Sequence, residues 1–512
     1  MKIPSLRKTG TLIRLPTSAS YVVPLILLFF GALYFLIPAL NHYFFRSYCY
    51  DYAVYNQAFY DYAHFRINAN TVIDPPLNNF MQIHVSFLLM VLSPLYWIFN
   101  WIAGTYTLLL IQAILITAGG YAVYLLIKEQ TEDKWLSILA LLHYFLLQGH
   151  FSALAADYID TTVGASLVPV YLLFFFRKRV FPALIFFILV IITKENFALW
   201  LIFISLTVLI LKRTDRFFIR WSGFFLAVSC CYLIIIYPWL VKYFEDPQRP
   251  YWGFSYSALG KNLSEAFYYV LSHPVKAIEL LFFNHTGEPE NDFVKAEFYI
   301  VTLLSGGVLI LRKPILLIPL IPIIAQKMYN DNWLRWSILS FYSVEIVSIL
   351  SICVFISIAA FRQQTARRIL GLLVVCSTAF VTVFKLSALE NETYHPAKEN
   401  IFSADFYSCN VPARHIHKAL KLIPQDASVA ATDRLVPHLA YRRNVHCFPY
   451  LRDSEYIAML SKSSAYPYRP DQISEQINKL IRDPAWETIY NDDYLRIFKL
   501  KSPVTAGPVA TR

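Results

Sequence analysis

Residues 21–57 read "YVVPLILLFFGALYFLIPALNHYFFRSYCYDYAVYNQ". From Tyr21 to Leu40 no side chain is charged. The run is long enough to cross a hydrocarbon core, which takes about 20 residues of helix. A basic segment, "MKIPSLRKTGTLIR", precedes it without a small-residue cleavage site. That pattern predicts an uncleaved first span with its N-terminus in the cytoplasm. Beyond the run the chain turns polar and aromatic, and Asp51 stands among tyrosines just outside the span. A carboxylate there is a solvated loop residue, a cation ligand or a general base.

The whole chain follows this opening. Of its 512 residues 57% are hydrophobic and 15% are charged, and the mean hydropathy is +0.46. Soluble proteins carry about 25% charged residues, so the reading is an α-helical polytopic membrane protein. The net charge of +11 does not point to nucleic acid. Its basic residues gather between apolar runs, as "RKR" (177–179), "KRTDRFFIR" (212–220) and "FRQQTARR" (361–368), as cytoplasmic loops do.

Apolar runs fall at roughly 21–40, 84–102, 105–127, 135–150, 162–176, 180–193, 197–211, 220–240, 297–311, 314–328, 338–360 and 368–385, judged by hydropathy and length. With the N-terminus and basic loops inside and the tail outside, an even count fails. About 11–13 spans are therefore expected, as an odd number. The miscount is placed between residues 84 and 150, where Pro94 suggests a broken or half-crossing element.

Three segments are too polar to span: 41–83, 241–296 and 386–512. In the second, "EAFYYVLSHPVKAIELLFF" (265–283) predicts a helix lying in the interface and broken at Pro274. The chain thus divides into a transmembrane domain, 1–385, and a small extracytoplasmic α/β domain, 386–512. In the latter, strands are expected at 427–433 and 444–450 and a short helix capped by Asp433 between them. A helix is expected at 470–483 and a β-hairpin at 486–501. Cys409 and Cys447 fall in this domain, and their spacing leaves a disulfide open. The other polar-region pattern, "HIH" (415–417), reads as surface, and His143 as a packing histidine.

Candidate chemistry clusters at the ends of the spans. Tyr55 follows Asp51 by one helical turn, and Asn56 and Gln57 come next. The stretch "DPPLNNFMQIHVSF" (74–87) returns to the membrane with His84 at its edge. Asp157 and Asp160, in "HFSALAADYID" (150–160), would share one helix face. Lys194 and Glu195 sit in "TKEN" (193–196) between apolar runs, where ionisable groups default to function. Glu345, one turn after Tyr342, needs a partner for the same reason. No Walker loop, GxSxG or HExxH appears.

The order of these motifs resembles the bacterial membrane-protein family called domain of unknown function 2079. Its carriers here are "YDYAVYNQAFYDYAHF", "HVSFLLMVLSPLYWIF", the "KEN" turn, "FYSVEIVSIL" and "IPQDASVAATDRLVPHLAYRRNVHCFPY". That family looks like a distant branch of the GT-C glycosyltransferases, multi-span enzymes that take sugars from polyprenyl-phosphate carriers. The resemblance implies a GT-C-like transmembrane domain in the cell inner membrane, with Asp51 as catalytic base. Tyr55, Asn56, Gln57, His84, Asp157, Asp160, Lys194, Glu195 and Tyr342 are the substrate-binding candidates. The implied partners are a polyprenyl-phosphate sugar donor, membrane lipid and a glycan or lipid acceptor.

The chain departs from the pattern at Ala53, where glycine is expected, and at Ile159, where histidine is. No acidic pair adjoins Asp51, so no cofactor is assigned and a divalent cation stays open. The rival functions are a transporter or flippase and a non-catalytic lipid-binding or assembly protein. Against transport, the sequence shows no internal repeat.

Overall fold

The structure is a computed structural model, and it describes residues 21–73, 77–248, 254–387, 396–461 and 466–501. The basic N-terminal segment lies outside the described residues. The first span is α1 (Val22–Tyr43), followed by a π-turn at Cys49–Ala53 and α2 (Val54–Ala63). Then come α3 (Leu88–Leu92) and α4 (Leu95–Ala103), separated at Pro94. The helices α5 (Thr107–Thr131), α6 (Lys134–Leu146), α7 (Gln148–Ala155), α8 (Asp160–Phe176), α9 (Val180–Ile191) and α10 (Glu195–Leu211) form the centre. Outside them lie α11 (Arg216–Cys231), α12 (Tyr237–Phe244), α13 (Leu263–Ser272), α14 (Pro274–Phe282), α15 (Val294–Leu304) and α16 (Ile321–Met328). The last two membrane helices are α17 (Val344–Ala359) and α18 (Gln364–Leu386).

Six stretches are long and apolar enough to cross a membrane: Val22–Tyr43, Leu95–Thr131, Lys134–Ala155, Arg216–Phe244, Phe341–Ala359 and Gln364–Leu386. Four shorter apolar helices accompany them. The protein is a polytopic α-helical membrane protein, but the expected 11–13 full spans are not reached among the described residues. The run at 84–102 is not one span, because Pro94 breaks it and α4 leads through Gly104, at φ 53°, directly towards α5. The run at 297–311 also divides: α15 ends at Leu304, and tight 3-10 turns carry the chain from Gly307 to Arg312.

Small residues let the central helices approach closely, as in other membrane bundles. A Cβ on Gly119 of α5 would lie 2.6 Å from the Ser166 carbonyl oxygen of α8. His143 is a packing histidine, bonded to Ser351 Oγ at 3.1 Å and to the Ser305 carbonyl at 2.9 Å. The interfacial helix expected at 265–283 is present as α13 and α14, broken at His273–Pro274. Its Phe267, Leu271, Val275 and Ile278 are exposed, the apolar face such a helix lays against lipid.

The C-terminal region begins with α19 (Pro396–Glu399) and α20 (Ala413–Leu420). It continues through β1 (Val429–Ala431), α21 (Val436–Leu439), β2 (Val445–Cys447), β3 (Tyr456–Leu460), α22 (Pro470–Arg482), β4 (Trp486–Asn491) and β5 (Leu495–Leu500). The sheet order is β2-β1-β3-β5-β4. β1 is parallel to β2 and β3, while β5 is antiparallel to β3 and β4. Ile473, Ile477 and Leu480 of α22 cover Ile457, Met459 and Phe498. The strands expected in 427–433 and 444–450, the helix and the hairpin all form. Asp433 does not cap α21: Leu435 holds that position and makes no side-chain bond to the helix. Cys409 and Cys447 are both free thiols.

The sheet is moored to the first polar loop. Thr71 Oγ1 donates to the Val445 carbonyl at 2.7 Å and accepts from the Val445 N–H at 3.0 Å. Arg46, just past α1, donates to the carbonyls of Phe406 and Asp405, each at 2.9 Å, and to those of Ala397 and Ser408. His417 is not a surface residue: it stacks on Tyr43 and Phe45 and bonds the Tyr43 carbonyl at 2.9 Å. Only His415 of that pattern is exposed.

Candidate functional site

The turn after α1 decides how Asp51 is presented. A π-turn carries an extra residue per turn and re-aims side chains at its ends. Here it buries Cys49, Tyr52 and Ala53 and leaves Asp51 facing out. Asp51 opens into a cavity of about 470 Å³. Tyr50 and Tyr55 flank it on the same wall. Ser152 of α7 and Tyr158 of the α7–α8 turn form a second wall. Lys194, in the turn before α10, and Arg335 and Tyr342, ahead of α17, form a third. His84 and, from α19, Lys398 and Glu399 complete the lining.

Ring contacts and ion pairs fix these walls. Tyr55 stacks on His84 with centroids 6.3 Å apart and meets Tyr158 edge-on at 5.3 Å. The Arg335 guanidinium lies 3.8 Å from the Tyr342 ring centroid, a cation–π contact. Behind it, Glu345 in the first turn of α17 stands 3.9 Å from both Arg335 and Lys327. Asn196 Nδ2 also donates to Glu345 at 3.4 Å. Glu345 therefore has the partners its apolar setting demands.

The electrostatics are divided. Burial raises the pKa of Asp51, and Lys398 opposes the rise. Burial also pushes Asp157 up to about 7, against Lys398 and a Ser47 hydroxyl bond of 2.9 Å, while Asp51 adds repulsion. His84 is held well below the usual histidine range by burial and by the cations Lys194 and Arg335, so it is a neutral imidazole. Desolvation works against the charge on Lys194, but Asp160, Glu195 and Tyr342 outweigh it and raise its pKa.

Of the residues singled out in the sequence, Asp51, Tyr55, His84, Lys194 and Tyr342 meet at this cavity. Asp157 and Asp160 do not share a helix face. Asp157 lies in the loop between α7 and α8 with φ 68°, clamped by Gln112, which bonds its carbonyl at 2.8 Å and the Ile159 N–H at 2.9 Å. It points towards Ser47, whereas Asp160 heads α8 and accepts from the Thr161 N–H at 2.7 Å. Asn56 and Gln57 turn away from the cavity. Asn56 donates to the Thr105 carbonyl at 3.1 Å, and Gln57 donates to Thr71 Oγ1 at 2.7 Å. Glu195 sits in the first turn of α10, behind Lys194. Arg335, Tyr158 and Lys398 were not legible: a lone basic residue in a polar loop carries no signal of what it will face.

The first polar loop, the cavity and the sheet up to the start of β5 lie within one matched region. A family model described as "Predicted membrane protein (DUF2079)" matches residues 41–495. The chain belongs to the DUF2079 family. No curated protein matches it.

In this DUF2079 protein, no three of His, Cys, Asp and Glu among the described residues converge to hold a metal ion. Among the cavity's own groups, Asp51 offers acid–base chemistry and Lys194, Arg335 and Lys398 offer positive charge. The cavity's lining thus joins a carboxylate of raised proton affinity with three cations and several tyrosine rings.

Proposed function

We propose that this DUF2079 protein is an integral-membrane glycosyltransferase of GT-C type. It moves a sugar from a polyprenyl-phosphate-linked donor to an extracytoplasmic glycan or lipid acceptor. Asp51 is the general base. In this reading the chain sits in the cell inner membrane with its N-terminus cytoplasmic and its C-terminal domain outside. The observation that carries the reading is Asp51 itself: a carboxylate lining a cavity that Lys194 and Arg335 also line.

The steps balance on these groups. The acceptor hydroxyl gives its proton to an Asp51 oxygen, which must come within about 3 Å of it. The acceptor oxygen bonds to the anomeric carbon as the bond from that carbon to the phosphate oxygen breaks. The leaving phosphate keeps the electron pair, and Lys194 and Arg335 stabilise its charge as it grows. Desolvation makes Asp51 a stronger base than an exposed aspartate. Tyr55 and Tyr158 line the cavity where the sugar would lie. The prenyl chain lies along the apolar faces of neighbouring helices.

The test compares lipid-linked and surface glycans by mass spectrometry. Cells carry the wild type, a deletion or Asp51→Asn at matched protein level. The expected result is loss of one sugar in both variants with accumulation of its lipid donor. Turnover in Asp51→Asn should fall about a hundredfold or more. Full rescue of the deletion by Asp51→Asn would sink the base assignment and leave lipid binding, assembly or transport.

A further inference from the structure

The C-terminal sheet brings a second set of polar groups next to the cavity, where Tyr466 meets the lining residue Tyr50. β1 pairs in parallel with β2 on one side and with β3 on the other. Chains leaving the carboxyl ends of such strands diverge, and open α/β sheets bind ligands in the crevice that results. β1 runs out into Thr432, Asp433 and Arg434, and the chain beyond β3 brings Tyr466 alongside. Thr432 ties the two strand ends together: its N–H donates to the Ala458 carbonyl at 3.0 Å, and its hydroxyl accepts from the Leu460 N–H at 3.2 Å.

Asp433 is the odd group in this edge. It is only 5% exposed. The backbone N–H groups of Arg434 and Tyr466 lie close enough to favour its charged form. Its Oδ1 is nonetheless buried without a hydrogen-bond partner, an arrangement that costs stability. Burial pushes its pKa up to about 6, and repulsion from Asp51 contributes, which places the two carboxylates within electrostatic reach of each other. Arg434 Nε is also buried without a partner.

Aromatic rings bridge the edge to the cavity. Tyr466 meets Tyr50 edge-on at 5.7 Å and remains 64% exposed. Arg434 and Lys398 lie 5.4 and 5.1 Å from the centroid of the Tyr48 ring. The two carboxylates here, Asp433 and Asp51, are matched by two cations, Arg434 and Lys398. The edge therefore has no surplus charge for an ion and suits a neutral polyol. Its hydroxyls donate to Asp433 Oδ1 and accept from Arg434, and its C–H faces lie on tyrosine.

We propose that Asp433, Arg434 and Tyr466, with Tyr50, form a saccharide-binding subsite that presents the acceptor hydroxyl to Asp51. The subsite rests on the transferase reading for its role as acceptor site, and on its own geometry for saccharide binding.

Saturation-transfer difference NMR on the purified full-length protein tests it. The probes are free glucose, galactose, mannose, arabinose and N-acetylglucosamine. The wild type transfers saturation to at least one of them. Asp433→Asn and Tyr466→Ala each weaken that binding about tenfold, the effect of losing one charged hydrogen bond or one ring contact. Asp51→Asn keeps it. Thermal melting of each variant checks the fold, and Tyr466 is exposed enough that its removal leaves the sheet intact.

No transfer to any sugar in the wild type overturns the subsite, and so does unchanged binding in either variant. Glycan profiles of the same variants separate the two claims. Lost transfer in Asp51→Asn with wild-type behaviour in Asp433→Asn keeps the enzyme and removes the subsite. Sugar binding at this edge with normal glycans in Asp51→Asn keeps the subsite and removes the enzyme.

Discussion

Asp51 and Asp157 repel each other and share Lys398 as counter-charge, so the protonation of one bears on the other. The consequence for stability can be signed. The pKa of Asp157 is about 7 in the folded protein against an ordinary 3.8. Below the ordinary value both states hold the proton and the group is neutral to stability. Between the two values the folded state holds more protons, so stability falls as pH rises, by up to about 1.4 kcal/mol per pH unit. Above about 7 the penalty is constant. Asp157→Asn removes the titration while keeping an oxygen for the Ser47 hydroxyl. Its melting temperature in detergent should match the wild type near pH 4, exceed it increasingly up to about pH 7 and hold that lead above it, by differential scanning fluorimetry. A constant difference across that range would show that burial does not hold the proton on Asp157. Under the proposed function the sign is opposite for activity. Asp51 would have to be deprotonated to act as base, and its pKa is raised, so the acidic limb of a pH–rate profile should lie above the usual carboxylate range. At this scale the sequence was informative wherever a polar group interrupts an apolar run, as at Asp51, Lys194 and Tyr342. It carried no sign that Asn56 and Gln57 lie buried in α2, where their amides bond Thr105 and Thr71.

Helices and strands were legible where one periodicity ruled. Pro274 and the amphipathic pattern around it gave the α13–α14 break, and the alternating runs at 486–501 gave the β4–β5 hairpin. β3 was not legible, because all five of its residues are buried and no alternation survives. The 3-10 turns from Gly307 to Leu320 were equally hidden, since hydropathy does not distinguish a tight apolar turn from a span. One packing contact at this scale has a direct test. α7 approaches the turn before α17 at Gly149, where a Cβ would lie 2.4 Å from the Ser343 carbonyl oxygen. That turn carries Tyr342, and Ser152 of α7 donates to the Ile338 carbonyl at 3.2 Å. Gly149→Ala must push the two apart, at a cost of about 1–3 kcal/mol. It should lower the melting temperature and, under the proposed function, reduce turnover, since Ser152 and Tyr342 both line the cavity. Gly223→Ala is the control: nothing lies within 4 Å of its Cβ position, so its melting temperature should not fall. Equal melting of the two variants would mean that α7 and the turn have room to spare.

Across the whole molecule, the sheet and the cavity work together only if the C-terminal region stays seated on the end of α1. Composition marks that region as a separate polar segment but is silent on how it docks, because the contacts join residues more than 350 positions apart. Arg46 is the main mooring. Its guanidinium donates to the carbonyls of Ala397, Asp405, Phe406 and Ser408, a fork of donors that no other side chain supplies. His42 of α1 adds a second contact, stacking on His438 of α21 with centroids 3.9 Å apart. Removing the fork in Arg46→Ala forfeits charge-assisted bonds worth about 1.5–3 kcal/mol each and leaves those carbonyls to water. The membrane helices have no stake in them. Limited proteolysis between residues 387 and 413 should therefore speed up by at least about tenfold, because cleavage tracks the open population when opening is fast. Melting of the membrane domain should hold. Arg46→Lys should not rescue it, since a single ammonium cannot span the same set of carbonyls. Under the proposed function the loosened sheet would also lose transfer, as α19 brings Lys398 to the cavity. Proteolysis at the wild-type rate would instead show that Thr71 and the His42–His438 stack suffice to seat the sheet, and that Arg46 serves only the local path of the chain.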